Sequence, residues 1–341
     1  MKEILTKLCA RENLTELEAK ESMAAIMDGK LTPAQVAAFL IALKMKGETA
    51  SEVFGCAAAM RERSTKVITK RTNVTDTCGT GGDGRQTFNI STAAAIIAAG
   101  AGLSVAKHGN RSITSKSGSA DMLEAAGVAL DISAAAVADC VRELGVGFMF
   151  APKHHGSMRH AALPRKELGV RTLFNVLGPL TNPANAPAMV LGVYAEYWVE
   201  PLAQVMQQLG ARHVLVVHSH DGLDEISLAE ATEVAELHHG QIRRYQITPE
   251  HFGIARQPLG AMVVSGPEQS VALVRSALGG QAGAPADMLA LNAGAAIYAA
   301  DLTATLVEGV ARAQEILHSG AALAKLDALI NKTQQQIQGV A

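Results

Sequence analysis

Residues 76–92 read DTCGTGGDGRQTFNIST, with glycine at 79, 81, 82 and 84 between an extended run and the start of a helical one. A turn with so few side chains lets the backbone approach a ligand and point several N–H groups at one anion, and the following helix adds the positive end of its dipole. Phosphate is the natural ligand for such a turn. Gly79, Gly81 and Gly84 satisfy G-x-G-x-x-G, but the dinucleotide fold wants the helix to open inside the turn and an acidic residue about 20 positions on. This chain carries Lys107 in that region. The Walker pattern fails at Arg85 and Gln86, which stand where Lys and Ser/Thr would grip phosphate and magnesium. Thr87, Asn89, Ser91 and Thr92 then place hydroxyl and amide groups at the start of STAAAIIAAG, where they can cap the helix or ligate a phosphate.

Working outward, NVTDTC (73–78) is followed by short apolar runs that alternate with helical stretches: LSVAKHG (103–109), a helix near 119–126, VGFMF (146–150), AMVLGVY (188–194), RHVLVVHS (212–219) and GAMVVSG (260–266). That alternation predicts an α/β fold with a mainly parallel central sheet covered by helices. TEVAELHHG and QIRRYQIT flank His239-Gly240 and read as an added hairpin, and three alanine-rich helices are expected to close the chain. Residues 1 to about 70 read as helices only: one stops at Gly29, and another takes Thr32 as its cap with Pro33 at its first position. The segment RTLFNVLGPLTNPANAP (171–187) is too rich in Asn, Pro and Gly to be helical throughout and reads as a crossover between domains.

The 341 residues include 48% hydrophobic and 18% charged side chains, which excludes disorder, and the net charge of −2 supplies no basic field for nucleic acid. Cys9, Cys56, Cys78 and Cys140 form no C-x-x-C pair, so reduced thiols are expected rather than a zinc cage or a disulfide framework. No run reaches the roughly 18 apolar residues of a membrane span and the N-terminus has no signal-peptide core, so the expected location is the cytoplasm. VAKHGNRSITSKSGSAD (105–121) offers Lys107, His108, Asn110 and Arg111 at a strand end and then serines before another helix, a second anion pocket on the same sheet edge. An adjacent acidic pair, Asp224-Glu225, suits a hard cation bridged to phosphate, although such a pair is also an ordinary solvated turn. His154, His155 and His160 lack the spacing of a zinc site.

Taken together, ALKMKGET (42–49), GTGGDG, TFNIST, KHGNRS, RTLFNVLGPLTNP, DGLDE (221–225) and LNAGAAIY (291–298) occur in an order that resembles the anthranilate phosphoribosyltransferases of tryptophan biosynthesis over nearly the whole chain. The resemblance implies a helical dimerisation domain, 1–70 with part of 165–187, a catalytic α/β domain, 71–341, and a homodimer that binds neither nucleic acid nor membrane. It puts phosphoribosyl pyrophosphate against Gly79, Gly82, Asp83, Thr87, Asn89, Ile90, Ser91 and Thr92, and against Lys107, His108, Gly109, Asn110, Arg111, Ser112, Ile113, Thr114, Ser115 and Ser119. Magnesium, two ions per subunit, is implied at Ser91, Asp224 and Glu225. Anthranilate is implied at Gly79, Asn110 and Arg165, with His108, Pro152, His155, Met158 and Gly178 along its path, and Lys107 and His108 are the implied catalytic residues. An arginine suits a planar carboxylate because its fork bonds bidentately, although one in RKEL is equally a surface helix charge. The family usually has Pro-Val before this arginine, whereas this chain has Leu163-Pro164, and Pro164 is expected to push Leu163 toward an extended backbone. The rival readings are a pyrimidine nucleoside phosphorylase of similar architecture and a noncatalytic nucleic-acid-binding relative.

Overall fold

The computed structural model describes residues 1–112 and 115–338, so the expectations for Ile113 and Thr114 lie outside the described residues. The chain begins with four helices, α1 (Lys2–Cys9), α2 (Glu16–Met27), α3 (Pro33–Lys46) and α4 (Ala50–Glu62). Thr15, Thr32 and Thr49 each accept a bond from the N–H three residues on, and Glu18, Gln35 and Glu52 each accept one from the cap's own N–H, giving three successive capping boxes. Pro33 opens α3, as its fixed φ and missing donor favour. Glu52 does more than cap. Its carboxylate also accepts from Leu14 N–H (2.8 Å) and from Lys46 Nζ (2.9 Å), tying the α1–α2 loop and the end of α3 to the start of α4.

The α/β part runs β1 (Val74–Gly79), α5 (Ile90–Gly100), β2 (Ser104–Gly109), α6 (Ser119–Ala125), α7 (Ala134–Leu144) and β3 (Val146–Phe150). A crossover of three short helices follows, α8 (Ala151–His154), α9 (Arg159–Leu168) and α10 (Phe174–Leu180). The chain then re-enters the sheet with β4 (Ala188–Gly192), α11 (Val199–Gln208), β5 (His213–Ser219), β6 (Thr232–His238) and β7 (Gln241–Ile247). Four helices close it, α12 (Pro267–Leu278), α13 (Ala284–Ala299), α14 (Leu306–His318) and α15 (Ala321–Gln338).

The sheet order is β3-β2-β1-β4-β5-β6-β7, parallel from β3 to β5 and antiparallel at β6 and β7. His239 and Gly240, both at positive φ, turn the β6–β7 hairpin as the sequence predicts. Strand side chains alternate between two apolar faces: Val190, Leu215 and Val217 pack with α5 and α13, while Met189, Leu191, Val214 and Val216 pack with α11, α10 and the N-terminal helices. The crossover residues Leu173, Val176, Leu177 and Leu180 thus share one hydrophobic cluster with α2, α3 and α4. Among the described residues, no helix is long and apolar enough to cross a membrane, and all four cysteines are free.

Three local expectations need correction. GAMVVSG is not a strand. Leu259–Met262 forms a 3-10 turn and Val263 makes a single bridge to Thr87, outside the seven-stranded sheet. The run pairs with the glycine stretch instead, through Phe88 N–H to Met262 O (2.8 Å) and Val264 N–H to Gln86 O (2.9 Å). The closing helices number four rather than three. Leu163 is helical, not extended, since α9 continues through Pro164, which is buried in the packing of that helix.

The Lys46–Glu52 pair carries side chains only 3% and 0% exposed, so removing one partner strands a charge in the interior. Lys46→Met is therefore expected to cost about 3–5 kcal/mol, read as a lowered denaturant midpoint by circular dichroism. A midpoint equal to that of the parent chain would show that Glu52 needs no counterion there.

Candidate active site

The carboxyl ends of the parallel strands gather on one edge of the sheet, and β1 is the strand from which the chain order runs both ways, which is where open α/β sheets bind ligands. The glycine turn leaves β1 here. Gly81, Gly82 and Gly84 take φ of 65°, 77° and 75°, which a side chain would resist. Among the described residues, the N–H groups of Gly82, Asp83 and Gly84 have no protein acceptor, so they are free for an anion. Gly81 N–H is taken by Asp224 Oδ2 at 2.6 Å.

Asp224 and Glu225 enter from the loop after β5. Glu225 Oε1 accepts Ser91 N–H at 3.1 Å, so its carboxyl sits on the first turn of α5, where the helix dipole favours negative charge. Asp224 is 9% exposed. Burial, then the charge of Asp83, pushes it up to about 6; burial, then Asp224, pushes Glu225 up to about 8. Among the described residues, no side-chain cation pairs with either carboxyl. The buried carboxyl of Asp224, the half-buried one of Glu225 and the Ser91 hydroxyl make a set of hard oxygens beside the open N–H groups of the anion cradle, which fits a divalent cation bridging carboxylates and phosphate.

Lys107 lies beneath this pair rather than over it. Its ammonium donates to Thr77 O and to Ser91 Oγ (3.3 Å), and Lys107 is 2% exposed. Asp76, fully buried beside it on β1, is pushed up by burial against the pull of Lys107, and accepts from Asn182 Nδ2 at 2.7 Å and His108 N–H at 3.2 Å.

The polar residues of the second loop have structural partners. Asn89 precedes α5 but does not cap it: Asn89 Oδ1 accepts from Ser117 Oγ and Ser270 Oγ, each at 2.7 Å, and Nδ2 donates to Ser117 O. Asp121 gathers Ser112 N–H and Gly118 N–H at 2.9 Å each, which shapes the loop leading to Ser119 on α6. Arg111 turns outward to Glu124 (2.7 Å) and Asp121 (3.2 Å). Ile90 is buried, so only its backbone faces the turn, and Thr92 Oγ1 is buried with no partner. Thr87 is held by its bridge to Val263, and Asn110 Oδ1 accepts Arg111 N–H.

A third group lies where β2 and β3 meet the crossover. The rings of His108, at the end of β2, and His155, after α8, are 5.1 Å apart, and both Nε2 atoms are buried without a partner. Burial, then neighbouring histidines, holds His108 well below its usual range and His155 down at about 4, so both rings are neutral near pH 7. Pro152 begins α8, Met158 ends a 3-10 turn, and Gly178 lies in α10. Arg165 of α9 places its guanidinium 4.9 Å from the Phe174 ring centre, and among the described residues it has no hydrogen-bond or ion-pair partner. It is half-buried, and that burial lowers its pKa.

Sequence reading missed four residues of this edge: Asp76, Asn182, Arg85 and Arg171. Arg85 reaches Asp221 O, and Arg171 reaches Gly82 O while its guanidinium lies 4.7 Å from the Tyr194 ring centre. A charged residue at the middle of a short predicted strand was the one available signal, at Asp76.

With this geometry in view, residues 2–64 match the glycosyl transferase family helical bundle domain and residues 71–323 match its a/b domain. The anthranilate phosphoribosyltransferase of Alkalilimnicola ehrlichii is 54% identical over 323 residues, 95% of this chain and 96% of its own. The crystal structure of the Thermus thermophilus enzyme of that name superposes with a TM-score of 0.92 at 46% identity, covering 97% of this chain and 99% of its own. The Saccharomyces cerevisiae enzyme in complex with phosphoribosyl pyrophosphate and magnesium superposes with a TM-score of 0.89 at 27% identity, over 98% and 97% of the two chains.

The acidic pair sets a pH dependence. Both carboxyls titrate higher in the folded chain than their ordinary values, so the folded state binds their protons more tightly than the unfolded one. That stability is full below the ordinary carboxylate range and is lost as pH rises through about 6 and then about 8. In chelator, the melting temperature should therefore fall across this interval, and Glu225→Gln should flatten the fall. A melting temperature that rises from pH 6 to pH 8 in both chains would contradict this account of the pair.

Proposed function

The chain belongs to the anthranilate phosphoribosyltransferase family, and from that premise we propose that it transfers the phosphoribosyl group of phosphoribosyl pyrophosphate to the amine of anthranilate, a step of tryptophan biosynthesis. The observation that carries this reading is the Asp224–Glu225 pair, bonded to the glycine turn and the start of α5 and, among the described residues, without a cation of its own. Magnesium would be held by these carboxyls with Ser91, two ions per subunit, a number that two carboxylates and a diphosphate accommodate in charge. Bound there, it would neutralise charge on the departing pyrophosphate.

The chain's own groups do the rest. The free N–H groups of Gly82, Asp83 and Gly84 receive diphosphate oxygens, and the first turn of α5 adds its dipole. Lys107 keeps Ser91 and the floor of the site in place and contributes positive charge from below. Arg165 takes the anthranilate carboxylate, with Phe174 stacked on its guanidinium and Pro152, Met158 and Gly178 along the approach. An aryl amine is neutral at pH 7, so its lone pair needs no base before attack. As the C1–N bond forms and the C1–O bond to pyrophosphate breaks, the nitrogen gains a positive charge and must lose one proton. His108, neutral and with a free Nε2, is the acceptor we assign. The helical unit, where Leu17 and Met45 are 62% and 68% exposed, is the surface we assign to a homodimer, as light scattering would show.

Turnover of anthranilate and phosphoribosyl pyrophosphate with and without magnesium tests the function directly. Asp224→Asn with Glu225→Gln should abolish magnesium-dependent turnover and leave the melting transition cooperative; activity like that of the parent chain at limiting magnesium would remove the pair from the site.

Arg165→Ala should weaken anthranilate by about 10-fold to 150-fold in calorimetric titration, the worth of a charge-assisted contact of about 1.5–3 kcal/mol, and leave phosphoribosyl pyrophosphate binding unchanged. Unchanged anthranilate binding would place the carboxylate elsewhere.

A further inference from the structure

At the opposite edge of the sheet, away from the glycine turn, lies a cluster that the reaction does not use. Among the described residues, His213, Glu236 and His238 form the one set of His, Cys, Asp or Glu side chains whose ligand atoms all fall within 4.8 Å of one another. His213 opens β5, Glu236 and His238 lie at the end of β6, and Asp301 follows α13 beside them. A seven-residue strand separates His213 from the loop of Asp224, a distance of about 20 Å.

The geometry points to a site for a borderline-soft divalent cation of the zinc class, with His213 Nε2, Glu236 and His238 as ligands and an open fourth position. His213 is wholly buried, its Nε2 3.0 Å from Glu236 Oε1 and its Nδ1 2.7 Å from Asp301 Oδ1. The second contact is the carboxylate–histidine arrangement that orients an imidazole toward a metal. Glu236 is held in turn by Tyr298 OH at 2.7 Å and by Tyr245. His238 is the most exposed of the three. Its side chain is 29% exposed, its ring stacks on His213 at 3.8 Å and 11°, and its nearest carboxylate contacts are 3.4 Å to Asp301 and 4.0 Å to Glu236. A cation in the plane of the His213 ring needs His238 to turn out of its stacks on His213 and His239, while no short carboxylate contact holds its ring nitrogens. Ligand atoms around tetrahedral zinc lie about 3.3 Å apart, close to the 3.0 Å already present between His213 and Glu236. Two imidazoles select this class over magnesium. Arg212, paired with Asp301 at 3.1 Å, and His239, stacked on His238 at 3.8 Å, complete the surroundings.

The full chain, carrying Cys9→Ser so that its exposed thiol takes no metal, is titrated with Zn2+ and with Co2+ in a large excess of Mg2+. One Zn2+ per chain should bind and raise the melting temperature, and Co2+ should give the visible absorption of a tetrahedral N/O site. His238→Gln should abolish both signals, Asp301→Asn should weaken Zn2+ by about 10-fold to 100-fold, and His220→Asn, at the far end of β5, should change neither. Should His238→Gln fail to fold in chelator, Asp301→Asn decides alone. The site is overturned if no Zn2+ binds, if Mg2+ displaces it, if His238→Gln or the deciding Asp301→Asn binds as the parent does, or if His220→Asn loses binding equally. None of these outcomes bears on transferase turnover in magnesium, which depends on the other edge.

Discussion

Burial, joined by the charge of Asp83 at Asp224 and of Asp224 at Glu225, makes both carboxyls resist ionisation, and the arrangement of this edge follows from holding Asp224 and Glu225 there. The strands on either side must be bare to admit them. A methyl group at Gly79 would lie 2.3 Å from Asp224 Oδ2, and one at Gly192 only 1.6 Å from Asp224 O, so glycine ends both β1 and β4 for the sake of an acidic residue from a third strand's loop. The N–H of Gly81 and the N–H of Ser91 then supply the partial positive charge that a lysine or arginine would otherwise provide. A salt bridge would have compensated the charge more fully and would have left nothing for a metal ion to neutralise.

The glycine turn is correspondingly restrained by contacts that leave its N–H groups free. Arg171 holds the carbonyl of Gly82, Arg85 reaches across to Asp221 O, and residues 86–88 pair with Met262 and Val264. These contacts use carbonyls, side chains and the backbone beyond the turn, so the donors of Gly82, Asp83 and Gly84 stay unclaimed. Arg171 belongs to the crossover, whose following residues pack with the N-terminal helices, while Asn182 at its far end bonds to Asp76 and Ala106 O. The same segment therefore touches the anion cradle, the strand floor and the helical unit, and a shift between the two parts of the chain must be felt at the glycine turn.

What could be read from the sequence was what neighbours in sequence decide. The cap at Thr32, the proline at the head of α3, the His239-Gly240 hairpin and the glycine turn all depend on residues within a few positions of one another. The apolar run 260–266 carried the same local signal as a strand, but its backbone partners are residues 86–88, more than 170 positions away, rather than a strand of the sheet. Leu163 followed its helix rather than the preference of a residue before proline, because packing of α9 outweighed one lost backbone bond. Arg171 and Asn182 were invisible for a different reason. Their partners lie 89 and 106 residues away, and neither residue type nor spacing marks such a contact in advance.

The same distinction separates charges that serve the fold from charges that await a ligand. Arg111 sits in the more suggestive motif, yet Glu124 and Asp121 already satisfy its guanidinium. Arg165, in an ordinary helical run, has an aromatic ring behind it and, among the described residues, no anion. On the acidic side, Asp121 is occupied by two backbone N–H groups and Arg111, while Asp224 and Glu225 have amides but no cation. A site built this way has uncompensated negative charge at one end and uncompensated positive charge at the other. On the proposed function, a metal-bound diphosphate would complete the first and the anthranilate carboxylate the second. Neutral His108 and His155 add no charge between the two ends, so in the proposed reaction neither substrate's charged group would be drawn to the wrong end.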